Sequence, residues 1–288
     1  MWIAVAGVLL ALAADAAPQR PAGEAKPAAG KRLSIIQAGI HQTEDGPLVP
    51  RGTTHVPGES LFFSFQLDGY QVSPEDKVQI SFQVDAFDPK GVRLVETFSG
   101  KTDTTVLPQD KDWKPKVRNT IVVPPLALPG TYKIAVSAKD EIGGTTATQE
   151  IFFEVRGHQV EPSDTLVVRN IRFLRGEDDR EPLAVPAYRA GDALWAKFDI
   201  TGYKMGPGNT IAVEYGIAIV APSGKTVFSQ PQAAVETGGS FYPKPYVPGI
   251  MNLTVQPKTT PGQYQIVITA RDLVGHQECE AKAAFRIE

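Results

Sequence analysis

PGTYKIAVSAKDEIGG, residues 129–144, returns as PGQYQIVITARDLVGH, residues 261–276. Pro-Gly opens both, a Tyr follows two places on, apolar residues alternate with polar ones, and Ala-basic-Asp precedes a Gly. Tyr132, Ile134, Val136 and Ala138 fall on one side of an extended chain, as do Tyr264, Ile266, Ile268 and Ala270, because successive side chains of a strand point to opposite faces. Each segment reads as a half-buried strand entered at a tight turn and left through a hairpin that holds Asp140 or Asp272. The strands that follow run from Ala147 to Val155 and from Cys279 to Ile287.

The likeness extends upstream. GESLFFSFQLDGYQVSPEDKVQISFQVDAFDPKGVRLVE, from Gly58, aligns without a gap on GDALWAKFDITGYKMGPGNTIAVEYGIAIVAPSGKTVFS, from Gly191. Phe65/Phe198, Gly69/Gly202, Tyr70/Tyr203, Pro74/Pro207, Pro89/Pro222 and Gly91/Gly224 are identical. The spacing is 133 residues here and 132 between Pro129 and Pro261, which places one length change in between. A period this long means tandem domains, since solenoid repeats are roughly 20–50 residues.

Val78, Ile80, Phe82, Val84 and Ala86 alternate with polar residues, the period of a strand with one wet face. Asp88–Gly91 (DPKG) and Ala221–Gly224 (APSG) carry Pro second and Gly fourth, as type I turns do. No amphipathic helical stretch of useful length occurs. The expected fold is all-β: two tandem antiparallel β-sandwiches related by internal duplication, residues 32–157 and 158–288, each of about seven strands. The pattern resembles immunoglobulin-like and fibronectin type III sandwiches. That resemblance implies a tyrosine corner at Tyr132 and Tyr264, a phenol near the start of the penultimate strand bonding back to the backbone. It also implies that such exported tandems serve as binding, adhesion or spacer modules. Residues 31–157 and 158–288, expressed separately, are each expected to fold. A half found unfolded by circular dichroism and proton NMR, while the whole chain folds, would refute the two-domain division.

Ile3 to Ala14 is an apolar run of 12 residues, short of the ~20 that span a bilayer, and Ala14-Asp15-Ala16 suits signal cleavage. Residues 1–16 therefore read as a secretory signal peptide and the protein as exported, periplasmic or extracellular. No Lys or Arg precedes the run, and the alternative is an uncleaved N-terminal anchor. Ala17–Lys31 is Ala/Pro/Gly-rich and reads as a disordered tether. No other stretch is long and apolar enough for a transmembrane helix. A net charge of −3 gives no electrostatic footprint for nucleic acid or anionic lipid. The single cysteine, Cys279, excludes an intramolecular disulfide, so core packing alone must hold each domain.

No nucleophile, phosphate-loop or zinc-protease motif is present, and no catalytic residue, metal ligand or cofactor is expected. His276-x-x-Cys279 puts its two members on opposite strand faces. The carboxylates at Glu44-Asp45, Asp110/Asp112, Asp140-Glu141 and Glu177-Asp178-Asp179 read as solvated loops, with calcium as the alternative. The favoured contact surface is GGSFYPKPYVPG, Gly238 to Gly249, which holds Phe241, Tyr242 and Tyr246. Trp113 aligns with Tyr246 at a spacing of 133 and reads with it as an aromatic lid on the core, whereas Phe241 and Tyr242 have no first-half counterpart. The fold does not demand those two, so they are expected to meet a partner, an envelope protein or polysaccharide. The expected function is a non-enzymatic binding or adhesion module of a bacterial-type envelope. The alternatives are a spacer without its own ligand, and a hydrolase or hydrolase accessory protein.

Overall fold

The computed structural model of the chain describes residues 32–110 and 112–288. The leader and tether, residues 1–31, lie outside the described residues.

The first half contains β1 (Ser34–His41), β2 (Thr54–His55), β3 (Ser60–Asp68), β4 (Lys77–Phe87), β5 (Phe98–Thr105), β6 (Lys116–Val122), β7 (Gly130–Asp140) and β8 (Thr146–Val155). The second contains β9 (Val167–Leu174), β10 (Ala187–Tyr188), β11 (Ala193–Thr201), β12 (Ile211–Val220), β13 (Thr226–Gly238), β14 (Val247–Thr254), β15 (Gly262–Asp272) and β16 (Gln277–Ile287). Each half forms a three-stranded and a five-stranded sheet, β1-β3-β6 with β2-β8-β7-β4-β5, and β9-β11-β14 with β10-β16-β15-β12-β13. The order is the same in both, down to the parallel pairing of the two-residue strands β2 and β10 with the last strand. Two immunoglobulin-like sandwiches in tandem are thus the observed fold. Even an irregularity repeats: the first strand of each sandwich breaks register at a residue with positive φ, Gln37 or Asn170.

The alternation does its work in two separate cores. Val78, Ile80, Val84 and Ala86 of β4 meet Tyr132, Ile134, Val136 and Ala138 of β7 in the first, and the matching residues of β12 and β15 fill the second. The repeated Pro-Gly has a packing reason. Gly130 and Gly262 take φ of 156° and 148°, and a Cβ there would lie 2.7 Å from Pro89 Cγ and 2.6 Å from Pro222 Cγ. The turn proline of one hairpin thus lies against the entry glycine of the neighbouring strand, in a space that only glycine leaves open.

Both phenols make the corner bond. Tyr132 donates to the Leu128 carbonyl at 2.6 Å and Tyr264 to the Thr260 carbonyl at 2.8 Å. Burial pushes the Tyr132 phenol up to about 12. Tyr132→Phe and Tyr264→Phe are each expected to destabilise their own sandwich by about 1 kcal/mol, the usual net worth of a buried hydroxyl bond. Unchanged denaturation midpoints for both would remove the corner's role.

Pairing across the sheets corrects one alignment. Ser60 faces Val122 and Ala193 faces Thr254, so the spacing has already fallen to 132 at β6 and β14. The length change lies before these strands. Tyr246 consequently matches Lys114, one residue away from Trp113, and the two aromatics are not equivalent members of a shared lid.

Candidate functional site

The segment between β13 and β14 is held from beneath by Asn209, whose side-chain amide donates to the Ser240 and Phe241 carbonyls at 3.0 and 2.8 Å. This turns its two aromatics in different directions. Phe241 is 50% exposed. Tyr242 packs on the core of the first sandwich and donates its hydroxyl to Asp88 Oδ2 at 3.0 Å. The other oxygen of Asp88 accepts the Lys90 and Val92 amides, so the same carboxylate shapes its own turn and receives the ring from the second sandwich. Burial, with Tyr132 and Asp88 close by, raises the Tyr242 phenol far above the usual tyrosine range. Of the pair expected at a partner surface, Tyr242 is committed to the joint between the sandwiches and Phe241 is left facing solvent.

Tyr246 is buried and stands edge-on to His158 of the connecting segment, ring centres 5.6 Å apart. His158 Nε2 lies 2.6 Å from Asp199 Oδ2, which also accepts from Asn170 at 2.7 Å. The connector is thereby tied to the outer side of β11. In the first sandwich the residue aligned with Asp199 is Gln66. Trp113 is 38% exposed, lies edge-on to Tyr70, and accepts the Tyr70 hydroxyl on its carbonyl.

Members of three of the four acidic clusters have local partners. Asp45 pairs with Arg118 at 2.8 Å and with Lys116, and the Arg118 bond holds its carboxyl below the ordinary value. Asp179 accepts the Arg175 and Gly176 amides. Asp140 and Asp272, both buried, accept backbone N–H groups of their hairpins and of the facing loop (Gln71, Lys204). No group of three or more His, Cys, Asp or Glu residues suited to a metal occurs among the described residues. His276 sits in a turn at φ 52°, and burial pushes the half-buried Cys279 thiol up.

A cleft of about 680 Å3 opens at the other end of the second sandwich. Its floor is core, with Leu194, Ile219, Tyr264, Phe285 and Ile287, and Phe228 and Leu253 form walls. Asn252, Thr254, Gln256, Lys258, Thr259 and Thr260 supply polar atoms along it. The strand β14 separates this cleft from the joint by roughly 25 Å, at about 3.3 Å per residue. The volume lies within the roughly 300–1,000 Å3 of small-molecule sites. Leu94, opposite Ala86 in the first sandwich, is 2% exposed; in the second a register shift puts Phe228 opposite Ile219 and leaves the sequence-aligned Val227 at the cleft edge, 56% exposed. Sequence reasoning missed this site because the register shift that leaves Val227 outside is set by strand pairing, not by the apolar pattern. The legible signal was the exchange of Leu126 and Ala127 for Lys258 and Thr259.

No family model matches the chain, and no curated protein matches it. Among solved structures it is similar to the C-terminal domain of the Streptococcus agalactiae AgI/II polypeptide BspA, with 11% identity over 88% of this chain and 99% of that one and a TM-score of 0.31. It is also similar to red sea bream transglutaminase, with 7% identity over 89% of this chain and 31% of that one and a TM-score of 0.28. Neither likeness carries an argument about function. No helix among the described residues is long and apolar enough to cross a membrane.

Proposed function

We propose that the protein is an exported, non-enzymatic binding module whose ligand site is the cleft of the second sandwich. The observation that carries this reading is the cleft itself, an apolar floor of Leu194, Ile219, Phe285 and Ile287 with polar side chains converging along it. An apolar floor with convergent polar groups is what a small-molecule site offers. Phe241, on a loop anchored at its base by Asn209, supplies a second contact point for an envelope protein or polysaccharide. The neutral fluorophore N-phenyl-1-naphthylamine is expected to bind saturably to the full chain and to be lost from Leu253→Trp, which fills the cleft, while Phe241→Ala keeps it. Absence of saturable binding, or full binding by a folded Leu253→Trp variant, would overturn the assignment.

The Tyr242–Asp88 joint favours a second reading, a spacer that holds its ends at a set distance. A pull-down from envelope extract separates the two. Specific partners that Phe241→Ala loses support binding, and no partner above background supports the spacer.

A further inference from the structure

The cleft and the joint occupy equivalent ends of the two sandwiches, and the differences between them define what each end receives. In the first sandwich this end takes up Tyr242, an apolar ring with a hydrogen-bond donor at its tip. Asp88 accepts the tip, and Leu126 lies alongside Tyr246 and Pro248 of the second sandwich. In the second sandwich the residue aligned with Asp88 is Ala221, so the acceptor is gone. The residue aligned with Leu126 is Lys258, so a cation has arrived. No carboxylate lines the cleft, and Lys258 makes no ion pair among the described residues. The apolar floor remains, with Ile219, Leu253 and Phe285. The end that takes an apolar ring with a donating tip in the first sandwich thus offers, in the second, an apolar floor beside a cation.

We infer that the cleft binds an anionic single-chain amphiphile, with its hydrocarbon between the two sheets and its acidic head at Lys258. This rests on the cleft being a ligand site and adds the chemical class of the ligand. The hydrocarbon supplies most of the binding through apolar burial, and the head sets orientation and selects charge. Lys258 lies at the rim, where an ion pair is worth modestly more than nothing, so selection between head groups is expected to be limited.

The test is isothermal titration of the full chain at neutral pH with dodecanoate and with dodecyltrimethylammonium, each below micelle formation. Dodecanoate is expected to saturate one site and to bind about tenfold more tightly than the cationic amphiphile, since one cation attracts the first head and repels the second. Lys258→Gln, at an exposed position, is expected to bring the two within about twofold. Leu253→Trp is expected to abolish both. Equal binding of the two amphiphiles, lost in Leu253→Trp, would overturn the anionic class and leave the ligand cleft standing. So would binding of the neutral fluorophore without dodecanoate. Dodecanoate binding that a folded Leu253→Trp variant retains would overturn both readings. Self-association of the full chain in sedimentation, lost in Leu253→Trp and accompanied by no amphiphile binding, would give the cleft to a second copy and overturn the inference.

Discussion

Asp272→Ala is expected to remove roughly 3 kcal/mol or more from the second sandwich and to leave the first unfolding at its own midpoint. The carboxylate is buried and accepts from the Val274 and Gly275 amides at 3.0 and 2.9 Å, the Lys204 amide at 2.8 Å and the Gln277 side chain at 3.1 Å. Hydrogen bonds to a charged group contribute about 1.5–3 kcal/mol each, and donors left buried without an acceptor add a desolvation penalty. Water reaching the truncated hairpin recovers part of the loss, which keeps the total below the sum of the bonds. Asp140→Ala is the matching change in the first sandwich, where Ile142, Gly143 and Gln71 donate. Chemical denaturation followed at Trp113 and Trp195, one in each sandwich, separates the two transitions. A second-sandwich midpoint unchanged in Asp272→Ala would show that the hairpin holds without its carboxylate.

The same residue gives acid sensitivity a sign. Burial alone would raise the Asp272 carboxyl, but the Gly275 and Lys204 amides, Gln277 and Val274 outweigh it and hold the group below its ordinary value of 3.8. Its folded pKa is therefore lower than its unfolded one. Its contribution is fully present above the unfolded value and is lost as pH falls through the folded one. The second sandwich should lose this stabilisation only below about pH 4, and Asp272→Asn should flatten that part of the profile.

The second large effect is expected from Tyr242→Ala, and it falls on orientation rather than on either core. Tyr242 is the residue of the second half that packs against the core cluster of the first, and its hydroxyl meets Asp88. A buried aromatic at an interface carries about 2 kcal/mol or more when truncated. A loss of that size raises the population of the open joint about thirtyfold. Each sandwich keeps its own core, so both unfolding midpoints should move little, while the halves begin to reorient independently. Small-angle scattering and separate rotational correlation times for the two halves read this directly. Asp88→Ala should act in the same direction with a smaller effect, since it removes the acceptor and leaves the ring packed. If the halves of Tyr242→Ala still tumbled as one body, Tyr242 would not be the element that holds them.

The sequence by itself determined the strands and the doubling. Alternation in Val78–Ala86 and Tyr132–Ala138 dictates which side of each strand is buried, because the side-chain period of a strand is two and cannot slip without turning the core outward. The repeat of that pattern then dictates two cores of one kind. The Pro-Gly-x-Tyr signature was legible for the same reason: turn, strand entry and phenol are all local. Tertiary structure alone decided what became of positions whose local pattern is silent. Phe241 and Tyr242 are adjacent aromatics between glycines, and only the core and Asp88 of the other sandwich take one inward and leave the other out. Leu94 and Val227 are both apolar and aligned in sequence, yet a register shift in β13 puts Phe228 in Leu94's place and leaves Val227 outside. The physical reason is common to both cases. Periodicity reports the face of a strand, which neighbours on the same chain segment impose, whereas the ends of a sandwich are shaped by loops brought together from distant parts of the sequence.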